Sequence, residues 1–114
     1  MKEYSPAELK KIYAARRQKI VEYLNINEIG AAIFIDSEEH REPSLRYLTG
    51  HTSDAMLIIP AQGNSILIPW DEILSKKIAY CDKVIPYTKY KNQDIAAIKA
   101  NLSEDCGKVE IPPS

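Results

Sequence analysis

The sequence predicts an α/β domain in which helices pack against the faces of a mixed β-sheet. Helical and strand-like segments alternate along the chain, as they do when a sheet is covered by helices. Two apolar segments, 55–59 and 65–69, are joined by a short turn that contains glycine, which indicates an antiparallel hairpin and therefore a mixed sheet. The length of 114 residues suits one domain, and 45% hydrophobic residues are enough for a packed core.

The first helix carries the clearest local signals. Ser5 offers a hydroxyl N-cap, Pro6 suits the first helical position, and Glu8 can complete a capping box. Apolar residues then recur at helical spacing up to an end near Asn25, whereas basic residues fall largely at other positions. The apolar positions are Leu9, Ile12, Tyr13, Ile20, Val21 and Leu24, and the basic ones are Lys10, Lys11, Arg17 and Lys19. This pattern predicts an amphipathic helix that lies on an apolar surface.

A strand is expected to follow this helix. Residues 31–35 form a continuous apolar run that ends at Asp36. Strands buried on both faces have this pattern, so a central, largely parallel strand is predicted. Residues 37–44 are polar and contain Pro43, which predicts an exposed loop.

The C-terminal half is predicted to contain two more helices and two more strands. Asp71 can cap a helix that runs to about residue 80, and Asn92 can cap another that runs to residue 102. Short strands are expected at 83–87 and, after a break at Gly107, at 109–111. The predicted inward positions are Ile73, Leu74, Ile78 and Cys81 in the first of these helices and Ile95, Ile98 and Leu102 in the second.

The composition excludes several classes of protein. A net charge of −1 does not provide the strongly basic face of a nucleic-acid-binding protein. No segment approaches the roughly 20 apolar residues of a membrane span, and the N-terminus has no apolar signal core, so a cytoplasmic location is predicted. Cys81 and Cys106 are too few for a disulfide framework, and two reduced thiols are favoured over a single bridge.

No complete catalytic or metal site is visible in the sequence. His40 and His51 do not form a metal-ligand pair, and His51 with Asp54 would still lack a third ligand. Ser53 lies between His51 and Asp54, but neighbours on one turn cannot hold a nucleophile, a base and an orienting acid at hydrogen-bonding geometry. The chain is therefore predicted to serve a larger enzyme rather than to catalyse a reaction alone.

The segment 45–51 is the most distinctive part of the sequence. Tyr47 and Leu48 are expected to anchor a short element to the core, and Gly50 allows a sharp turn of the backbone. The side chains of residues 51–54 would then be displayed where the next strand begins. Loops held at strand ends are common positions for functional groups in α/β proteins.

At this segment the sequence resembles the N-terminal domain of the creatinase/prolidase/aminopeptidase P family. The resemblance is carried by the YLTG tetrapeptide at 47–50, the apolar strand 55–59 and the glycine-containing turn into 66–69. The opening helix with Arg16 and Arg17, the run 31–35, the helix after Asp71 and the strand 83–87 follow in the family's order. The resemblance therefore covers nearly the whole chain.

The resemblance implies a mixed sheet of ribonuclease-H-like topology flanked by helices. Residues 1–114 would form the N-terminal domain, cut short at its C-terminal end, and a C-terminal "pita-bread" catalytic domain would follow in the parent protein. In that family the catalytic domain holds two divalent metals, often manganese, so no cofactor is expected in this chain. The parent would be a metal-dependent Xaa-Pro peptidase, a hydrolase.

The implied partners are the chain's own catalytic domain, a second copy in a homodimer, and proline-containing peptides. The N-terminal domain of the family contributes to dimer assembly and covers an active-site cleft, which shapes substrate access. In some relatives, residues near the YLTG segment reach a neighbouring substrate pocket. Arg46, His51 and Asp54 are the substrate-gating candidates, because arginine can clamp a carboxylate and histidine titrates near neutral pH. Hydrogen bonding within the loop is the other interpretation of these three residues.

Two other functions remain open from the sequence. The chain could be a stand-alone binding or interaction module with the same fold. It could also belong to a two-domain enzyme that hydrolyses a small C–N substrate, as creatinase does. The position after YLTG is His51, whereas the family often has phenylalanine there.

Overall fold

One mixed β-sheet organises the part of the chain that the structure describes. The computed structural model describes residues 4–90, 94–102 and 107–111. In chain order the elements are α1 (Pro6–Ile26), β1 (Ala31–Asp36), α2 (Pro43–Thr49), β2 (Ala55–Pro60), β3 (Ile66–Pro69), α3 (Glu72–Ile78), β4 (Lys83–Val84), a 3-10 turn (Tyr87–Tyr90), α4 (Asp94–Asn101) and β5 (Val109–Glu110). The predicted mixed α/β fold with flanking helices is confirmed.

The sheet has the strand order β4-β3-β2-β1-β5. The predicted hairpin is confirmed, because β2 and β3 pair antiparallel from Ala55 opposite Pro69 to Ile58 opposite Ile66. β1 is central as predicted, but its six-residue ladder with β2 is antiparallel, and it is parallel only to the two residues of β5. The prediction of a largely parallel strand was wrong because burial on both faces gives an apolar run whatever the direction of the neighbouring strands.

Apolar side chains alternate between the two faces of the sheet and form a core on each. One core lies under α1 and α2, and it is built from Leu24, Ile29, Ala32, Phe34, Leu45, Leu48, Ala55, Leu57, Ile59 and Leu67. The other lies towards α4 and the 3-10 turn, and it is built from Ile33, Met56, Ile58, Ile66, Ile68, Tyr87 and Ala97. Helices therefore cover both faces, and functional groups are confined to the ends of the strands and to the helix surfaces.

Helix α1 begins as the sequence predicts. The Ser5 hydroxyl accepts a hydrogen bond from the Glu8 backbone N–H at 3.2 Å, and the Glu8 carboxylate accepts one from the Ser5 N–H at 3.2 Å. Along the same helix, however, Arg17 is only 6% exposed, although the pattern assigned it to the polar positions. Its burial is possible because its guanidinium finds backbone carbonyl acceptors.

Several other local predictions differ from the structure. Residues 43–49 form helix α2, because Glu42 accepts a hydrogen bond from the Ser44 N–H and Pro43 starts the helix rather than extending a loop. Ile73 is 72% exposed on α3 instead of facing inward. The predicted strand 83–87 pairs only at Lys83–Val84. The predicted Asn92 cap and the thiol of Cys106 lie outside the described residues.

None of the described helices is long and apolar enough to cross a membrane.

Candidate functional site

The antiparallel strands bring three chain segments together at one end of the sheet. Asp36 closes β1 opposite Ala55 at the start of β2, and Ala55 also faces Pro69 at the close of β3. The residues that flank these strand ends therefore meet, although they are far apart in sequence. We call this region, defined by Asp36, Arg41, Asp54 and Asp71, the polar end of the sheet.

Arg41 links the charged groups of the polar end. Its guanidinium forms an ion pair with Asp54 and lies 3.6 Å from a carboxylate oxygen of Asp36. The other oxygen of Asp36 accepts a hydrogen bond from the Glu42 N–H at 2.8 Å, which fixes the start of α2. One exposed arginine thus joins the end of β1 to the entry of β2.

Two of the three predicted gating residues lie at the surface of this region. Arg46 is exposed on α2, and with Arg41, Asp36 and Thr52 it lines a depression of about 240 Å³. Asp54 borders it through its ion pair with Arg41, and its side chain is 30% exposed. The arrangement offers two guanidinium groups to a ligand, with Asp54 and Asp36 as competing acceptors for one of them.

His51, the third predicted gating residue, is fully buried. The expectation that the loop displays this side chain at the surface was wrong, because the left-handed turn at Gly50 directs the chain back into the core. Neither ring nitrogen has a hydrogen-bond partner of ordinary geometry among the described residues. Burial lowers the pKa of His51, and weaker opposing effects come from Asp71, Asp36 and the backbone of Asp54. Burial therefore disfavours the charged form of the ring and keeps the side chain out of reach of a ligand.

Each residue of the YLTG tetrapeptide has a distinct structural role. Tyr47 is 48% exposed, contrary to the prediction that it anchors the core, whereas Leu48 is buried as predicted. The Thr49 hydroxyl donates to the Leu45 carbonyl at 2.7 Å and accepts from the His51 N–H at 3.2 Å. Gly50 adopts φ +81°, and a β-carbon there would lie 3.0 Å from the Ile78 carbonyl oxygen. The tetrapeptide therefore ends α2 and fixes the path of the loop into β2.

Arg17 ties this loop to the rest of the domain. One nitrogen of its guanidinium donates to the Leu48 carbonyl at 3.1 Å and to the Tyr80 carbonyl at 2.6 Å. The Thr49 carbonyl also accepts a hydrogen bond from the Tyr80 N–H at 2.7 Å. These contacts join α1, the end of α2 and the segment after α3 into one rigid support below the polar end.

The described residues do not form a metal site. No three histidine, cysteine or carboxylate side chains among residues 4–90, 94–102 and 107–111 converge to hold an ion. At the polar end Arg41 contacts one oxygen of Asp54 and one oxygen of Asp36, and the other oxygen of Asp36 accepts from the Glu42 N–H, so both carboxylates are engaged by protein groups. The residues present therefore do not fit a divalent metal.

A larger cleft, of about 730 Å³, lies at the opposite end of the sheet. It is lined by the β2–β3 turn, Lys83, Asn101 and Leu102. Lys83 is the one charged residue among its lining residues. The polar end is the better candidate site because several charged groups meet there.

Comparisons with known proteins give a consistent picture of the fold. No family model matches the sequence, and no curated protein matches it. A solved structure of the N-terminal, creatinase/prolidase-like domain of a predicted metallopeptidase from Corynebacterium diphtheriae matches with a TM-score of 0.53 at 15% identity, and the match covers 90% of this chain and 95% of that one. This chain has the fold of a creatinase/prolidase-like N-terminal domain.

The structure of dipeptidase PepE from Mycobacterium ulcerans also matches, with a TM-score of 0.49 and 15% identity. The match covers 90% of this chain but 22% of the dipeptidase. This chain therefore spans less than a quarter of that enzyme's length.

The sequence predicts the loop before β2 but not all of the side chains that organise this end of the sheet. The prediction missed Arg41 and Asp36, which organise the polar end, and Arg17, which supports it. Asp36 and Arg41 are evident in the sequence as charged residues, but their contact depends on the shape of the turn between them. The burial of Arg17 has no signal in the spacing of apolar residues.

Proposed function

We propose that this chain is the non-catalytic N-terminal domain of a metal-dependent peptidase. The near-complete mutual coverage with the creatinase/prolidase-like domain of a predicted metallopeptidase supports this function most directly. In such a protein the divalent metal, manganese by the family resemblance, belongs to a separate C-terminal domain. This chain contributes to assembly and to substrate access in the cytoplasm, and the substrates are peptides with proline in the second position.

The polar end is the part of the domain best suited to control substrate access. Arg46 is exposed and has no ion-pair partner among the described residues, so its guanidinium is free to bind a carboxylate. Asp54 forms an ion pair with Arg41 and partly neutralises the positive charge near Arg46. His51 acts beneath the surface by filling the space under the loop rather than by touching substrate.

The assignment of a peptidase parent is tested by comparing two proteins. One is residues 1–114, and the other is the full open reading frame in which this sequence occurs. With manganese, the full protein should release the N-terminal residue from Xaa-Pro peptides, whereas residues 1–114 should be inactive. Creatine hydrolysis by the full protein would favour the C–N hydrolase instead, and metal-dependent cleavage by residues 1–114 would refute the assignment.

The gating role is tested in the same full protein with Arg46→Gln and Asp54→Asn. Both side chains lie at the surface, so loss of either should change KM by several fold while the melting temperature is retained. Lys77→Gln on α3 is a matched exposed control. Unchanged KM and kcat in both variants would leave Arg46 and Asp54 as ordinary loop residues.

A further inference from the structure

A groove between the first two helices adjoins the polar end of the sheet, and Pro43 lines both. It has a volume of about 400 Å³, and its lining includes Arg16 and Lys19 of α1, Pro43 and Tyr47 of α2, and Phe34 and Leu48 below. We call this feature the α1–α2 groove. Its floor is apolar because Phe34 and Leu48 belong to the buried core under the two helices.

The cationic rim of the groove is held in a defined geometry. The Arg16 guanidinium donates to the Tyr47 carbonyl at 3.0 Å and lies 4.1 Å from the centre of the Tyr47 ring. A second ring, that of Tyr13, lies 5.3 Å from the same guanidinium. These contacts restrict the rotamers of Arg16, so less conformational entropy is lost when it binds an anion.

The charge of the groove is unbalanced. None of its lining residues is acidic, and neither Arg16 nor Lys19 forms an ion pair within the described part of the chain. This contrasts with Arg41, which has two carboxylate partners. The groove therefore presents two cations beside an apolar surface, a combination that complements carboxylates next to apolar side chains.

The spacing of the two cations indicates what can bind them. Residues three apart on a helix have β-carbons about 5–6 Å apart, so Arg16 and Lys19 lie side by side along the groove. Alternate side chains of an extended peptide lie on one face at a similar separation, about 6–7 Å, and the intervening side chains point the other way. An extended segment can place two acids on the rim and its apolar side chains on the floor and on Tyr47.

We propose that the α1–α2 groove binds an extended acidic segment of a partner protein, in which carboxylates alternate with apolar side chains. This recognition rests on α1, α2 and Phe34 of β1, and it does not depend on a peptidase parent. A single small carboxylate would use only one of the two cations and little of the apolar floor. The groove thus provides a second interaction surface beside the polar end.

The experiment measures binding of a fluorescently labelled peptide of eight residues, alternating glutamate and leucine, to the 114-residue chain by fluorescence anisotropy. The peptide should bind at least about tenfold more tightly than versions with lysine for glutamate or serine for leucine. The double variant Arg16→Gln/Lys19→Gln should weaken binding about tenfold or more. The double variant Lys11→Gln/Lys77→Gln removes the same charge from exposed positions elsewhere and should change affinity less than about twofold.

Thermal unfolding of both double variants verifies that they remain folded. The proposal is overturned if the three peptides bind equally, or if the two double variants weaken binding to the same extent. Sedimentation that shows the unliganded chain to be a dimer, with dissociation caused by Arg16→Gln/Lys19→Gln, would assign the groove to a second copy and would also overturn it.

Discussion

Two adjacent arginines of α1 hold the same segment of α2 from different environments. Arg17 is buried and donates to the Leu48 carbonyl, whereas Arg16, one residue earlier, donates from the surface to the Tyr47 carbonyl. Arg17 reaches a second carbonyl, that of Tyr80, and Arg16 instead lies over the ring of Tyr47. Arg17 thus supports the interior of the domain, whereas Arg16 places a positive charge at the rim of the α1–α2 groove.

The difference shows that exposure, more than the hydrogen bond itself, sets the role of each arginine. A buried guanidinium is tolerated only because its donors are satisfied, and removing it leaves buried carbonyls without partners. The guanidinium of Arg16 is partly exposed and competes with water at its carbonyl, so its hydrogen bond adds less stability. Arg16 can consequently be substituted with little loss of stability, whereas Arg17 cannot.

The largest effect is expected when the buried support is removed. Arg17→Met retains most of the side-chain volume but leaves the carbonyls of Leu48 and Tyr80 without this donor, at a cost of about 1–3 kcal/mol each. The free energy of unfolding, measured with urea, should fall by roughly 3 kcal/mol. Arg16→Met is the matched control and should cost less than about 1 kcal/mol. An equal loss of unfolding free energy in Arg17→Met and Arg16→Met would contradict the distinction between a buried, structural arginine and a surface arginine.

The turn that ends the supported segment should be the next most sensitive position. Gly50→Ala imposes a side chain at φ +81°, where its β-carbon would lie 3.0 Å from the Ile78 carbonyl oxygen and 3.1 Å from the Tyr13 ring. The conformational strain is about 1–2 kcal/mol, and displacement of a backbone atom adds to it, so a loss of about 2 kcal/mol or more is expected.

Gly107→Ala separates the two contributions to that loss. Gly107 has a similar φ of +76°, but no atom of the described residues lies within 4 Å of the added carbon. Its substitution should cost only the conformational strain, about 1–2 kcal/mol. If Gly50→Ala is no more destabilising than Gly107→Ala, the close packing of the YLTG turn against Ile78 is not important.

The same contrast explains what could be predicted from the sequence. The capping box of Ser5 and Glu8 and the β2–β3 hairpin depend on residues close in sequence, and both were predicted correctly. The burial of Arg17 depends on carbonyls 31 and 63 residues away, which periodicity does not reveal. Local physics thus gives the elements and their order, whereas the environment of a charged side chain depends on how those elements meet.

The candidate site was predicted in position but not in detail. The YLTG segment correctly indicated the loop before β2, because a left-handed glycine and a buried leucine have clear local signatures. The same signatures do not say on which side of the loop the next residue lies, so His51 was expected at the surface. The pairing of Asp54 with Arg41 requires the turn at 37–42, whose shape depends on the Asp36 carboxylate.

Burial of His51 should make the free energy of unfolding depend on pH. This effect should be smaller than those of Arg17→Met and Gly50→Ala. Because the folded state lowers the pKa of His51 below its ordinary value of 6.5, the unfolded chain binds the proton more readily. Its contribution is complete above pH 6.5 and is lost as the pH falls through 6.5 towards the lower folded value, with a slope of at most about 1.4 kcal/mol per pH unit. His51→Leu should flatten the free energy of unfolding between pH 7 and 5.

The other histidine provides the control for this pH dependence. His40 is exposed on the segment between β1 and α2, so His40→Leu controls for the loss of a histidine at the surface. Denaturant unfolding at several pH values gives both slopes. A wild-type slope that survives in His51→Leu would mean that other groups cause the acid sensitivity, and the buried ring would not be a titrating element of the loop.

The smallest effect is expected at the polar end, where the charged pair is accessible to water. The side chains of Arg41 and Asp54 are 46% and 30% exposed, and exposed pairs contribute about 0–1 kcal/mol. A double-mutant cycle with Arg41→Gln and Asp54→Asn should therefore give a coupling below about 1 kcal/mol that decreases as salt is added. A coupling well above that value would make the pair a structural element like Arg17. With a small coupling, Asp54 can be changed without loss of the fold, so an altered KM in the full protein would report on substrate access rather than on unfolding.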